Sequence, residues 1–505
     1  MLKFFGFIFI NLKIFFIFFL SLTKGIKYLY NRVTNFGETN MLNLTRLESD
    51  SIGTLEVPIN AYYGVQSLRG KNNFFITGNL FNYTFILNAV RIKKSSCLAN
   101  FKSGALCKEK ADAIIKACDE ILDGGLKEHF ITDAIQGGAG TSVNMNVNEV
   151  IANRATEILG GCLGEYLVHP NDHVNMSQST NDVVPSAGKL TVIDLAEDLL
   201  DSLDSLIASL DLKAVEFDGI VKMGRTQLQD AVPIRLGQEF QAYSNGLKRC
   251  KNLIKNALKE MHTLNLGGSA IGTAINVNKV YLTEIIGILS KITEKELSLA
   301  DDMIDQTQNL DGFVQVSGTL KTLAVNLSKM CNDLRLMSSG PKTGLEEIIL
   351  PAMQNGSSIM PGKVNPVIPE VVSQVSFAVI GNDMTVTMAA EAGQLELNAF
   401  EPVIFYKLFE SLICLKNAID TLNYNCIKGI LPNKEHCEQL LFGSVGIVTA
   451  LCPFIGYKKS AEIAKEALKN KISVKKLVLD RGLLDEETLN KVLDPYKMTK
   501  PSNKQ

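Results

Sequence analysis

Residues 316–334 read VSGTLKTLAVNLSKMCNDL. Within this stretch Val316, Leu320, Leu323, Leu327, Met330 and Leu334 recur at spacings of three and four. That is the period at which side chains return to one face of an α-helix. The same rhythm runs through Leu199, Leu203, Leu206 and Leu210, and again through Ile404, Leu408, Leu412, Leu415, Ile419 and Leu422. Long helices that each carry one apolar stripe must bury the stripes against one another, and a helical bundle is the architecture that does so. Strand-type alternation is sparse elsewhere, so the expected fold class is mainly α. Where the stripes exceed what one chain can cover, the bundle is expected to continue across subunits.

Working outward, the 505 residues are too many for one compact core. Residues 41–181 mix short apolar stretches with Gly-rich and Asn-rich loops, and read as an N-terminal domain. The helical rhythm becomes regular after Pro185, so residues 182–431 read as the central bundle. Pro432 and the charges around it end the pattern, leaving 432–505 as a small helical C-terminal domain with a polar tail. Residues 1–40 stand apart, because Met1 to Leu22 is a Phe and Ile run interrupted by Asn11 and Lys13. Three readings compete for it. A membrane span is long enough, but a central lysine costs about 2.5 to 3.5 kcal/mol on insertion scales. A signal peptide lacks a small-residue cleavage site after the apolar stretch. The third reading, which we prefer, starts the protein at Met41 and makes residues 1–40 an upstream extension; a membrane partner enters only if residues 1–22 are an anchor.

Composition excludes several functions. Lys and Arg total 51 against 53 Asp and Glu, so no field of one sign recruits nucleic acid. The ten cysteines are scattered without a CxxC pair, as in a protein with reduced thiols, and a cytoplasmic location is expected. Of five histidines only His169 and His173 lie four apart, across Pro170, so no metal site is expected. Neither a Walker A loop nor a dinucleotide-binding glycine pattern is present, and no cofactor is expected. The remaining partner is a small molecule.

The densest unusual segment is Gly356-Ser357-Ser358-Ile359-Met360-Pro361-Gly362-Lys363-Val364-Asn365-Pro366. Its glycines and prolines exclude regular structure. One account makes it an ordinary polar turn. The other notes two hydroxyls, a cation and an amide within nine residues of a loop with glycine hinges, and composition does not choose between them.

The segment closely resembles the shared loop motif of the aspartase and fumarase superfamily. Three further segments resemble that family's other blocks: Gly138-Ala139-Gly140-Thr141-Ser142 with Asn144, Asn146 and Glu149; Gln178-Ser179-Thr180-Asn181-Asp182; and Gly224-Arg225-Thr226-Gln227-Leu228-Gln229-Asp230. Four blocks in order, within a resemblance from about Glu48 to Pro501, are far more specific than one pattern. Inside the superfamily the resemblance favours the aspartate ammonia-lyase branch over the class II fumarases. Fumarases typically carry His where this chain has Gln227, and the stretches 62–65, 265–270, 367–370 and 390–394 are similar to aspartases. The expected reaction is the conversion of L-aspartate to fumarate and ammonia, with fumarate hydratase as the alternative.

What the resemblance implies about the site is a family inference at every position. Ser357 matches the catalytic base. Thr141, Ser179, Thr180 and Ser358 match hydroxyls around the substrate's β-carboxylate, where an aci-carboxylate dianion must be stabilised. Thr226, Lys363 and Asn365 match the α-carboxylate site, and Asn181 and Gln227, with Thr141, the surroundings of the amino group. A neutral amide at Gln227 accepts from an ammonium but does not titrate near neutrality. Glu370 matches a carboxylate that pairs with the missing histidine, and Arg69 is either a ligand contact or a structural ion pair. The family assembles its site from three subunits of a homotetramer. Two rival readings are a relative that kept the fold and lost catalysis, against which the intact Ser357, Lys363 and Asn365 argue, and a membrane-tethered binding protein.

Overall fold

The computed structural model describes residues 44–500. The apolar run 1–22 and the proposed start at Met41 lie outside the described residues. The chain opens on an antiparallel hairpin, β1 (Thr45–Asp50) and β2 (Gly53–Pro58). Helices α1 (Val65–Asn73), α2 (Tyr83–Lys102), α3 (Lys108–Leu122) and α4 (Thr141–Ile158) follow. Then comes α5 (Thr180–Glu216), a hairpin of β3 (Val221–Thr226) and β4 (Gln229–Arg235), and α6 (Leu236–Ala257). Beyond α7 (Lys279–Thr293) lie α8 (Asp311–Met337), α9 (Val367–Glu391) and α10 (Glu401–Asn425). The fold is mainly α, as the helical rhythm requires.

Helices α5, α6, α8, α9 and α10 form the bundle. Every stripe residue read from α8 and α10 is at most 2 % exposed, and Leu199, Leu203, Leu206 and Leu210 of α5 are fully buried. Cross-helix contacts give the directions. Gln241 and Lys251 of α6 reach Asp211 and Asp204 of α5, which makes that pair antiparallel. Tyr243 bonds Asp333, and Ser317 of α8 bonds Asp383 of α9, so α8 opposes both neighbours. Asn423 bonds Ser205, and Gly188 packs on Phe405, so α10 runs parallel to α5. The bundle therefore has two distinct ends, one where α5 begins and one where β3 and β4 sit. With 37 residues at about 1.5 Å each, α5 separates them by roughly 55 Å.

Two details differ from the sequence reading. The boundary drawn between residues 181 and 182 falls in the first turn of α5, so the passage into the bundle is a continuous helix. Pro185 lies inside that helix. Proline has no N–H to give the carbonyl four residues back, that of Asn181. The Asn265 side-chain amide supplies the missing donor at 3.1 Å. The helix thus continues through a proline because a distant loop satisfies the orphaned carbonyl.

At the other end, a second core of Leu441, Ile447, Leu451, Ile463, Val478 and Leu489 takes in Met223 from β3. Ser444 donates to Asp230 of β4 at 2.7 Å. The C-terminal region is seated on the hairpin that carries Thr226 and Gln227.

Candidate active site

At the first end, Gly138, Ala139 and Gly140 adopt positive φ values of 83°, 53° and 83° in succession and deliver the chain into α4 at Thr141. The Thr141 hydroxyl donates to the Gly138 carbonyl at 2.7 Å. A Cβ on Gly140 would lie 2.9 Å from the Val184 side chain, so this turn sits directly on α5. Asn144 extends the contact, donating to Thr180 Oγ1 at 3.2 Å and to Asn175 Oδ1 at 3.3 Å. Ser179 caps α5: its hydroxyl accepts from the Asn181 N–H, while its own N–H donates to Asp182. Thr141, Ser179, Thr180 and Asn181 are thereby gathered where two helices begin. The positive dipole ends of both helices suit a carboxylate.

This cluster rests on buried polar groups. Asn175 Oδ1 accepts from Lys93 Nζ at 2.8 Å, and burial pushes the Lys93 ammonium down to about 7 while Asp182 pulls the other way. Burial pushes the Asp182 carboxyl up to about 6, against the N–H groups of Ser179, Gly267 and Ser269 that favour its charge. Glu149 accepts from the backbone of Gly64, Gln66 and Ser67, and Asn146 bridges Ile131 and His129. These motif residues hold the scaffold. Arg69 makes a bidentate pair with Asp50 at 3.0 and 2.9 Å, the structural ion pair of the two readings. A cavity of about 540 Å³ opens beside Thr141, lined also by Arg69, Glu149 and His169.

At the far end, β3 and β4 are joined by the two-residue turn Gln227-Leu228, with φ of 53° and 62°. Such a turn normally takes Asn-Gly, because both positions need φ above zero. Larger side chains held there carry a backbone cost that the surroundings must impose. The hairpin is anchored below by Lys222, which pairs with Glu239 and with Glu347, and by Arg225, which donates to Glu347 at 2.8 Å. Glu347 is wholly buried. Thr226 and Gln227 are exposed above this network.

The 356–366 loop leaves the same end and leads into α9. Its ends are stapled: Gly356 N–H donates to the Lys363 carbonyl, and Asn365 Nδ2 to the Gly356 carbonyl, both at 2.8 Å. A Cβ at position 356 would lie 2.7 Å from the Lys363 oxygen, so only glycine lets the strands of the loop meet. Within it Ser357 Oγ accepts from the N–H groups of Ile359 and Met360 at 3.1 and 2.9 Å. Ser358 and Lys363 are exposed. Glu370 stands in the first turn of α9, where a carboxylate complements the helix dipole without any histidine.

The structure therefore brings four of the expected site residues together at one end and places six at the other: Thr226, Gln227, Ser357, Ser358, Lys363 and Asn365. Sequence reasoning did not single out Asp182, Lys93 or Glu347. Asp182 had a signal, being the acid three residues after a capping serine. The other two had none, since a buried lysine or glutamate is read only from its partners.

A family model described as "Lyase" matches residues 53–381, and one described as "Fumarase C C-terminus" matches 447–500. The structure is similar to that of a fumarate lyase:delta crystallin from Brucella melitensis bound to cobalt, with a TM-score of 0.88 and 48% identity over 91% of this chain and all of that one. A class II fumarase from Schistosoma mansoni gives a TM-score of 0.88 at 35% identity over the same shares. The chain belongs to this lyase family. Among its curated relatives, an aspartate ammonia-lyase of Helicobacter pylori is 51% identical over 90% of this chain and 98% of its own length. One of Escherichia coli is 48% identical over 92% and 98%.

Proposed function

We propose that this protein is an ammonia-lyase that converts L-aspartate to fumarate and ammonia, with Ser357 as the base. The activity rests on relatives that are 47 to 51% identical over almost their whole length and are named aspartate ammonia-lyase. The fumarase reading is less favoured, with 35% identity to a class II fumarase and a glutamine at position 227.

The observation that carries the mechanism is the pair of backbone N–H groups on Ser357 Oγ. A serine hydroxyl is far too weakly acidic to ionise unaided at neutral pH. Two fixed donors and the Lys363 charge favour its alkoxide, and loop closure that expels water strengthens both. Ser357 takes the proton from the carbon beside the β-carboxylate. The electron pair passes into that carboxylate as an aci-dianion, held by Ser179, Thr180 and Ser358, and by Thr141 once its hydroxyl turns from the Gly138 carbonyl. Thr226, Lys363 and Asn365 hold the α-carboxylate. Collapse of the dianion forms the double bond and breaks the carbon–nitrogen bond, with the amine beside Asn181, Thr141 and Gln227. No metal or cofactor takes part in this scheme.

Residues roughly 55 Å apart cannot serve one substrate, so the site is completed between chains, and we propose a homotetramer. Phe377, Ile380, Met384 and Met388 support it, an exposed apolar stripe on α9 opposite its buried Val372, Val379 and Val386. The parts 41–181, 182–431 and 432–505, with the first boundary moved to the start of α5, organise this assembly. Among the described residues no single helix is long and apolar enough to cross a membrane. A cytoplasmic location belongs to the proposal. The test is ultraviolet detection of fumarate formed from L-aspartate and, separately, from L-malate. Fumarate from L-aspartate alone is expected; formation from L-malate alone contradicts the reading.

A further inference from the structure

An amide side chain has one acceptor end and one donor end, and nothing at its own position decides which end faces a ligand. At Asn181 the surroundings decide it. Nδ2 lies 2.7 Å from the carbonyl oxygen of Ala270, and a backbone carbonyl only accepts. The NH₂ end must therefore point to Ala270, which turns Oδ1 the other way.

The position of that carbonyl depends in turn on Asp182. One oxygen of its fully buried carboxylate accepts from the Ser179 N–H at 2.9 Å. The other accepts from Gly267 and Ser269 at 3.0 and 3.1 Å. A single side chain thus ties the turn bearing Ser179, Thr180 and Asn181 to the 265–270 loop. Asn265 adds a second tie, donating to the Asn181 carbonyl freed by Pro185 and to Thr307. Asp182 itself contacts no substrate group: its Oδ1 holds the turn that carries Ser179 and Thr180, and its Oδ2, through the 265–270 loop, controls which end of the Asn181 amide is offered.

We propose that Asp182 is a positioning residue for recognition of the substrate's amino group: through the 265–270 loop it sets the Ala270 carbonyl against Asn181 Nδ2 and presents Asn181 Oδ1 to the ammonium. This rests on the aspartate ammonia-lyase reading and deepens it. An ammonium has only donors to offer, so an oxygen held in place is its complement, whereas an NH₂ end facing it would repel. Asparagine replacing Asp182 keeps the volume but sets an NH₂ against N–H groups, so the loop must shift and the Asn181 amide is released to turn.

The experiment uses the assembled full chain. Wild-type activity on L-aspartate and L-malate is measured first, and a protein active on L-malate alone overturns the function and not the positioning claim. Asp182→Asn is then compared with wild type by kcat and KM for L-aspartate and by the inhibition constant of succinate, a dicarboxylate of the same length without the amine. A rise of about 10-fold or more in KM for L-aspartate is expected, the scale of a hydrogen bond to a charged group. Succinate inhibition should shift by less than about threefold, because the Ser179 turn keeps its own cap, Asn181 N–H to Ser179 Oγ, and Lys363 and Asn365 lie at the other end of the bundle. Parallel shifts for both ligands mean a general structural role and overturn the proposal, as does no shift in either. Independently of any variant, a crystal structure of the wild type with L-aspartate should keep the Asn181 contact to Ala270 and place Oδ1 within about 3 Å of the amine. An amide turned so that Nδ2 faces the ligand also overturns it.

Discussion

Where α4 and α5 begin, Thr141, Ser179 and Asn181 are backed by buried Asn144, Asp182 and Lys93, and their side chains are hydrogen-bonded to neighbours before any substrate arrives. Where α8 ends and α9 begins, the Ser357 loop stands open, held by its own backbone bonds and one asparagine. The first region is suited to dipoles held close to where charge develops. The second is suited to a base that is admitted, closes and lets the product leave. In the proposed scheme the two jobs fall at opposite ends of a roughly 55 Å helix.

The largest effect should follow from removing the proposed base. Ser357→Ala is expected to lower kcat by about 10² to 10⁴, the range for general-base catalysis, with KM changing much less. Because the hydroxyl lies on a loop and not on a bundle stripe, circular dichroism and native mass should be unchanged. Retention of more than about a tenth of wild-type kcat would assign the base elsewhere.

Next in size is the support beneath the hairpin. Glu347→Gln leaves Lys222 and Arg225 short of a counter-charge in a buried place, and breaking such a pair costs about 3–5 kcal/mol. The urea midpoint should fall clearly while the Ser357 loop chemistry persists in the folded fraction. An unchanged midpoint would show that the hairpin does not depend on this network.

The smallest effect concerns the turn itself. Gln227→Gly relieves a positive φ and should leave stability no lower, yet kcat/KM for L-aspartate should fall several-fold, the scale of about 0.5–1.5 kcal/mol for a neutral hydrogen bond. A variant that loses stability but keeps activity would make Gln227 a structural residue.

These regions also differ in how far the sequence revealed them. The stripes of α8 and α10 were legible because burial of a helix face imprints a period on neighbouring residues. The β3–β4 hairpin was not, since its turn is Gln227-Leu228 where a sequence rule looks for Asn-Gly. Ser179 and Asp182 could be recognised as a cap, but the ties from Asp182 to Gly267 and Ser269 span 85 and 87 residues and leave no local trace. The family motifs named Thr141, Ser179 and Ser357 together; only the length and direction of α5 place them at opposite ends.

The central claim is that the two groups of residues act on one substrate only when different subunits meet. It is tested most directly by mixing two inactive proteins, Ser357→Ala and Thr180→Val, unfolding them together and letting them reassemble. Each loses one end of the bundle's contribution, so hybrid assemblies contain some sites built from two intact halves. Fumarate formation from L-aspartate well above the sum of the two separately refolded parents is the expected result. A mixture no more active than that sum, in assemblies shown to contain both chains, would mean that both groups come from a single chain, and would contradict the account.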